Sequence, residues 1–125
     1  MEACMRKILI VDDDSGVRGL LSAIIRRKGG FNVLEAASLA EASPLCAENQ
    51  FDLVFLDHLL NDGIGWEIAR MISIDPQKYG NPVIIAMSGS VSQETAVGSG
   101  INYSKFMPKP FVVSEIEDII GRIPG

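Results

Sequence analysis

The sequence predicts an α/β domain built on a doubly wound parallel sheet. Three observations carry that expectation. Short apolar runs and amphipathic segments alternate from end to end, as strands and crossover helices do. The runs Ile8-Leu9-Ile10-Val11, Leu53-Val54-Phe55-Leu56 and Val83-Ile84-Ile85-Ala86-Met87 are almost unbroken, as in strands covered by helices on both faces. Each of these runs, and the shorter Phe106-Met107, is closely followed by groups able to do chemistry: Asp12-Asp13-Asp14, Asp57, Ser88 and Lys109. Residues just past the strand ends of an open parallel sheet share one crevice at its carboxyl edge.

The elements follow in order. The first strand spans about residues 7–11. A helix over 15–28 is predicted by Val17, Leu20, Leu21, Ile24 and Ile25, which fall on one helical face, and it ends at Gly29-Gly30. The second strand covers 32–36. A helix over 39–49 is opened by Ser38 with Glu41 three residues on, the pattern of a capping box. Pro44 leaves two options there: a kinked helix, or a shorter one that Ser43 caps and Pro44 opens. The third strand, 52–56, leads through a loop at 58–64 to a helix over 65–74 that Asp75-Pro76 stops. The fourth strand is 82–87. The fourth helix begins near Val91, with Ser90 and Gln93 as its capping box, and should be short and weak because it contains Gly98 and Gly100. The fifth strand is 104–107. The fifth helix, 112–122, turns Val112, Val113, Ile116, Ile119, Ile120 and Ile123 inward. Five strands and five helices are expected, with the crevice between the first and third strands.

Bulk properties narrow the function. The 125 residues suit one domain, and 47% hydrophobic content supports a real core. A net charge of -5 argues against direct nucleic-acid binding, which needs clustered basic residues. The one cationic run, Arg26-Arg27-Lys28, suits a solvated last helical turn. Cys4 and Cys46 lack the spacing of a disulfide framework or a zinc site and read as reduced thiols in a cytosolic compartment. No run approaches a membrane span, and residues 1–7 lack a secretory apolar stretch, so a soluble, cytoplasmic protein is expected.

The acids are the feature that needs explaining. Two carboxylates about 4 Å apart repel by about 4 kcal/mol at an effective dielectric near 20. Asp14 and Asp52 are accounted for as cap and turn residues. Asp12, Asp13 and Asp57 together require compensation. Lys109 supplies one positive charge, and a hard divalent cation with oxygen ligands, suited by Mg²⁺, would supply the rest.

On these motifs the chain resembles a receiver domain of the two-component response-regulator family. The residues that carry the likeness are Ile8-Leu9-Ile10-Val11-Asp12-Asp13-Asp14, Asp52-Leu53-Val54-Phe55-Leu56-Asp57, Ala86-Met87-Ser88-Gly89 and Phe106-Met107-Pro108-Lys109-Pro110-Phe111. The likeness runs essentially from Lys7 to Ile123. It implies one receiver domain over residues 1–125 with its core at about 7–123. It also implies the flavodoxin-like three-layer fold with strand order 2-1-3-4-5, the order of a chemotaxis member of that family. The resemblance further implies that Asp57 is the phosphoacceptor for a histidine kinase or histidine phosphotransfer protein. Asp13, Asp57 and the Leu59 carbonyl would ligate Mg²⁺, with Asp12 acting through a metal-bound water. Lys109 and the Ser88 hydroxyl would hold phosphoryl oxygens, and Gly89 would leave the approach open. Phe106 would stand as the switch aromatic. The readout face would be the fourth helix, fifth strand and fifth helix, addressed to a downstream protein or to an output domain of the same protein. Such a domain is a signalling switch rather than an enzyme.

This chain departs from the family pattern in places. Asn61 stands where Pro is frequent, and Asn102-Tyr103 where Gly-Ala is. Leu59 cannot orient water by hydrogen bonding, so slow self-dephosphorylation is expected. His58 reads as an incidental loop residue, and Trp66 as partly buried packing. Met5, Met71, Met87 and Met107 read as fillers of core or strand. Three other readings are weaker. A haloacid-dehalogenase-type phosphatase would use Asp12/Asp14, Ser88 and Lys109, but it leaves Asp57 without a role and lacks a later acidic strand end. A nucleotide-binding loop at Gly63-Ile64-Gly65 lacks the third glycine, since position 68 is Ile68. A degenerate receiver would lack an acid or the lysine, and none is missing.

Overall fold

The computed structural model describes residues 6–123. Five parallel strands form one sheet: β1 Arg6–Val11, β2 Phe31–Ala36, β3 Leu53–Asp57, β6 Val83–Ser88 and β7 Lys105–Pro108, in the order β2-β1-β3-β6-β7. A two-stranded antiparallel hairpin, β4 Leu59–Leu60 and β5 Gly63–Ile64, lies outside that sheet. With the hairpin set aside, the order is the expected 2-1-3-4-5. The helices are α1 Ser15–Lys28, α2 Leu39–Glu48, α3 Glu67–Ile74, α4 Pro76–Tyr79, α5 Gln93–Gly98 and α6 Val113–Gly121.

Period-two alternation along the strands divides the core. Leu9, Val11, Val54, Leu56, Ile84 and Ala86 face α2, α3 and α5, where they meet Cys46, Ile68, Ile72 and Ala96. Ile8, Ile10, Leu53, Phe55, Ile85 and Met87 face α1 and α6, where they meet Leu21, Ile25, Ile116 and Ile120. The fold is therefore three layers, and burial on both faces explains the unbroken apolar strands.

Several expectations are corrected. Among the described residues there are six helices, not five. Asp75-Pro76 ends α3 but also starts α4: the Asp75 side chain accepts from Lys78 N–H, and Pro76 takes the first helical position, where a missing N–H costs nothing. The 58–64 loop holds a hairpin. Helix α2 keeps its full length, capped by Ser38, with Pro44 inside it. A second cap helps hold its start: both Asp62 carboxylate oxygens accept N–H bonds, from Leu39 at 2.9 Å and Ala40 at 3.0 Å. Those bonds hold the Asp62 carboxyl below the usual carboxylate range.

Helix α5 is short, as expected, but its N-cap is Ser92, which makes no side-chain capping bond, so the Ser90–Gln93 box does not form. Helix α6 buries Ile116, Ile119 and Ile120, whereas Val112 and Val113 are exposed by 58% and 41%. Those two valines lie at the helix mouth, where Glu115 reaches back to the Val112 N–H at 3.3 Å, so the buried stripe starts one turn later. Leu20, on the predicted apolar face of α1, is also exposed. Cys46 is buried and free, and burial pushes its thiol up to about 11. Met71 is half-buried and Met87 and Met107 are fully buried. Cys4 and Met5 lie outside the described residues. No helix among the described residues is long and apolar enough to cross a membrane.

Candidate phosphoryl and metal site

The sheet's carboxyl edge brings the predicted residues together. Asp12 follows β1, held by its N–H to the Ala36 carbonyl at 3.1 Å. Its carboxylate accepts the Asp14 N–H at 3.0 Å, and Asp14 caps α1 by accepting from Gly16 and Val17. Arg18 donates to the Asp12 carbonyl at 2.7 Å and pairs with Glu35 at 3.2 Å. Glu35 in turn accepts from the Ser22 hydroxyl. The turn that carries Asp12 and Asp13 is thus pinned from both sides. Asp57 is the last residue of β3, the neighbouring strand.

Carboxylate oxygens of Asp12, Asp13 and Asp57 lie within 4.8 Å of one another. Asp12 and Asp57 are buried while Asp13 is exposed. Lys109, just past β7, reaches across the cleft. Its Nζ is 2.6 Å from Asp12 Oδ2 and 3.0 Å from Asp57 Oδ1. The Lys109–Pro110 peptide bond is cis.

Burial pushes the Asp57 carboxyl up to about 6; the Lys109 hydrogen bond opposes that rise, and the negative charge of Asp12 adds to it. Burial alone would lower Lys109, but bonds to Asp12 and Asp57 prevail and raise it. One ammonium facing three carboxylates leaves the cluster anionic. Hard oxygen donors at this spacing fit a divalent cation of the Mg²⁺ class.

Ser88 ends β6 and is buried. Its Oγ accepts N–H bonds from Ser90 at 3.1 Å and Val91 at 3.0 Å. Its own proton has only a 3.5 Å contact with Ser90 Oγ. A methyl group at Gly89 would sit 3.7 Å from the Lys109 side chain, an ordinary contact. Leu59 and Ile64 are paired across the hairpin and both are exposed. Phe106 is half-buried and Tyr103 packs half-buried against the same core cluster.

Sequence reasoning undervalued Trp66 and His58. Trp66 is 1% exposed, and its indole N–H reaches the carbonyls of Leu56 at 3.2 Å and Met87 at 3.3 Å. His58 packs against it at a 49° tilt with centroids 4.3 Å apart, and burial lowers the imidazole below its ordinary value. Phe106 meets Trp66 edge-on at 6.3 Å. Gly65, just before Trp66, lets the chain pass close against the Asp57 backbone. A Cβ there would lie 2.0 Å from the Asp57 carbonyl oxygen, and the Gly65 N–H bonds the His58 carbonyl at 2.8 Å. The clue was the pairing of a glycine with the chain's single tryptophan immediately after the hairpin.

Comparison with known proteins gives a consistent result. The model of the family described as response regulator receiver domain matches residues 8–121. The transcriptional regulatory protein YvrH of Bacillus subtilis is 29% identical over 105 residues, 83% of this chain and 43% of that protein. The solved receiver domain of HemR from Leptospira biflexa, in its non-phosphorylated form, is 32% identical with a TM-score of 0.74, covering 94% of this chain and 93% of that one. The chemotaxis response regulator CheY4 of Vibrio cholerae has a TM-score of 0.83 at 23% identity, covering 97% of this chain and all of that one, which shows the shared fold. The chain spans about half the length of the curated relatives it matches.

Proposed function

This chain belongs to the response regulator receiver domain family, and from that premise we propose that it is a phosphorylation-dependent switch whose phosphoacceptor is Asp57. The observation that carries the proposal is Lys109 held between Asp12 and Asp57, with an Asp13 oxygen within 4.8 Å of both acids. An Asp57 carboxylate oxygen forms a bond to phosphorus as the P–N bond of a phosphohistidine breaks. The electron pair of that bond stays on the partner's imidazole. The donor is a histidine kinase or a histidine phosphotransfer protein.

Asp13, Asp57 and the Leu59 carbonyl are the direct ligands proposed for Mg²⁺, with Asp12 acting through a bound water. When bound, Mg²⁺ would neutralise charge on the phosphoryl oxygens, which is most of what such a transfer requires. Lys109 bonds one phosphoryl oxygen. Ser88, whose proton has only the long contact with Ser90 Oγ, turns to donate to another and gives up its bonds to Ser90 and Val91. Gly89 borders the approach. Phe106 then follows Ser88 inward, and the change reaches α5, β7 and α6. Leu59, 50% exposed and apolar, offers no group to orient a hydrolytic water, so the phosphoryl group is long-lived.

The output is either another protein or a further domain of the same protein. Regulatory relatives such as YvrH are about twice this length, whereas the CheY4 chain is matched over its whole length. A cytoplasmic setting follows from a kinase donor.

Titration with beryllofluoride and Mg²⁺, followed by NMR, tests the switch. Resonances of Ser88, Phe106 and α5 should shift together. Turnover of phosphate esters without such shifts would favour the hydrolase reading instead.

A further inference from the structure

Trp66 belongs to none of the groups that touch the phosphoryl site, yet its indole N–H lies between the ends of the two strands that carry them. Its acceptors, the Leu56 and Met87 carbonyls, belong to the residues immediately before Asp57 and Ser88. In the β3–β6 ladder the terminal pairs are Leu56 with Ala86 and Asp57 with Met87, so the indole bridges the sheet at the edge where the site begins.

Both bonds, at 3.2 and 3.3 Å, are at or just beyond the long end of the normal N–H···O range. A donor shared this way holds each acceptor weakly and can redistribute between them at little cost. The same ring meets Phe106 edge-on at 84°. Bulk alone does not require this arrangement, because a buried indole N–H is satisfied by one acceptor.

We propose that Trp66 is a positioning residue for phosphoryl transfer. Its shared N–H links the carbonyls just before Asp57 and Ser88 and adjusts as the two strand ends shift against each other. Its ring passes displacement of the Ser88 segment to Phe106. The proposal rests on Asp57 as phosphoacceptor and adds a residue outside the phosphoryl and metal ligands.

The single tryptophan makes a clean test possible. Growth on β-(benzothien-3-yl)alanine replaces only this N–H by sulfur and keeps the ring's shape. Three quantities are compared with the unsubstituted protein: Mg²⁺ affinity, the rate of Asp57 phosphorylation by acetyl phosphate, and the beryllofluoride-induced shift of the Phe106 ring resonances. The expected result is a split: the Mg²⁺ Kd stays within about twofold while phosphorylation slows about tenfold, since small misplacement of a reacting pair is costly, and the Phe106 shift shrinks.

Trp66→Phe, which keeps an aromatic ring in the pocket, should show the same split. An unchanged rate and shift in the analogue would overturn the proposal. So would a parallel fall in Mg²⁺ affinity, rate and stability, which would mark Trp66 as packing alone. If the unsubstituted protein itself takes up no phosphoryl group on Asp57, the reading of the site fails first and this proposal falls with it.

Discussion

Lys109 is bonded more closely to Asp12, at 2.6 Å, than to Asp57, at 3.0 Å. The lysine is therefore first a counter-ion for the fully buried Asp12 carboxylate and second a partner for Asp57. This ordering gives Lys109 a structural role separable from phosphoryl chemistry.

Replacing Lys109 by Ala leaves Asp12 and Asp57 buried without a cation. Breaking one side of a buried pair costs about 3–5 kcal/mol, so Lys109→Ala should lose about that much in urea unfolding at pH 7 with chelator present. Mg²⁺ should recover part of it. A variant as stable as the parent would show that the acids are solvated well enough to need no partner.

Asp13 has the opposite character. It is exposed, and the lysine contacts Asp12 and Asp57 rather than Asp13. Mg²⁺ should stabilise the parent chain by about 2.7 kcal/mol at a hundredfold excess over its dissociation constant. In Asp13→Ala that gain should vanish, while the metal-free melting temperature stays level or rises as repulsion is relieved. A clearly lowered metal-free melting temperature would assign Asp13 a structural part.

The pH dependence follows from Asp57, whose carboxyl is raised from 3.8 to about 6, chiefly by burial. A raised carboxyl means the folded state holds a proton that the unfolded chain has released between those two values. Metal-free stability should therefore fall as pH rises from 3.8 through about 6, by at most about 3 kcal/mol from this group. Mg²⁺ affinity should rise over the same range as the carboxylate ionises. Thermal melts from pH 4 to 7 in chelator, for the parent and Asp57→Asn, isolate the effect: the substituted chain should lack that part of the slope. Parallel curves would contradict the assignment.

Gly65→Ala places a methyl group 2.0 Å from the Asp57 carbonyl oxygen. Backbone must move, and overpacking of this kind costs about 1–3 kcal/mol. The shift falls on Asp57, the proposed acceptor, so stability to urea and Mg²⁺ binding should both weaken. Retention of both at parent values would mean that α3 can withdraw without disturbing β3.

Most of the fold was legible because its signals are repetitive. The apolar runs in β1, β3 and β6 reflect burial on both faces, and the four strand-end motifs by themselves predict Asp12, Asp57, Ser88 and Lys109 in one crevice. Less legible were features set by tertiary contacts. Asp62 looks like a turn residue in sequence, yet it caps α2 across 22 residues. Asp75-Pro76 signals a stop and serves equally as a start. The valines at the mouth of α6 are apolar but face solvent, because periodicity does not say where a helix first touches the sheet. Trp66 read as packing because nothing local marks the carbonyls of Leu56 and Met87 as its acceptors.

The most direct measurement is intact-mass spectrometry after incubation with acetyl phosphate and Mg²⁺. The parent chain should gain the mass of one phosphoryl group, and Asp57→Ala should gain none. No adduct on the parent, or an equal adduct on Asp57→Ala, would contradict the central claim that this cleft exists to phosphorylate that carboxylate.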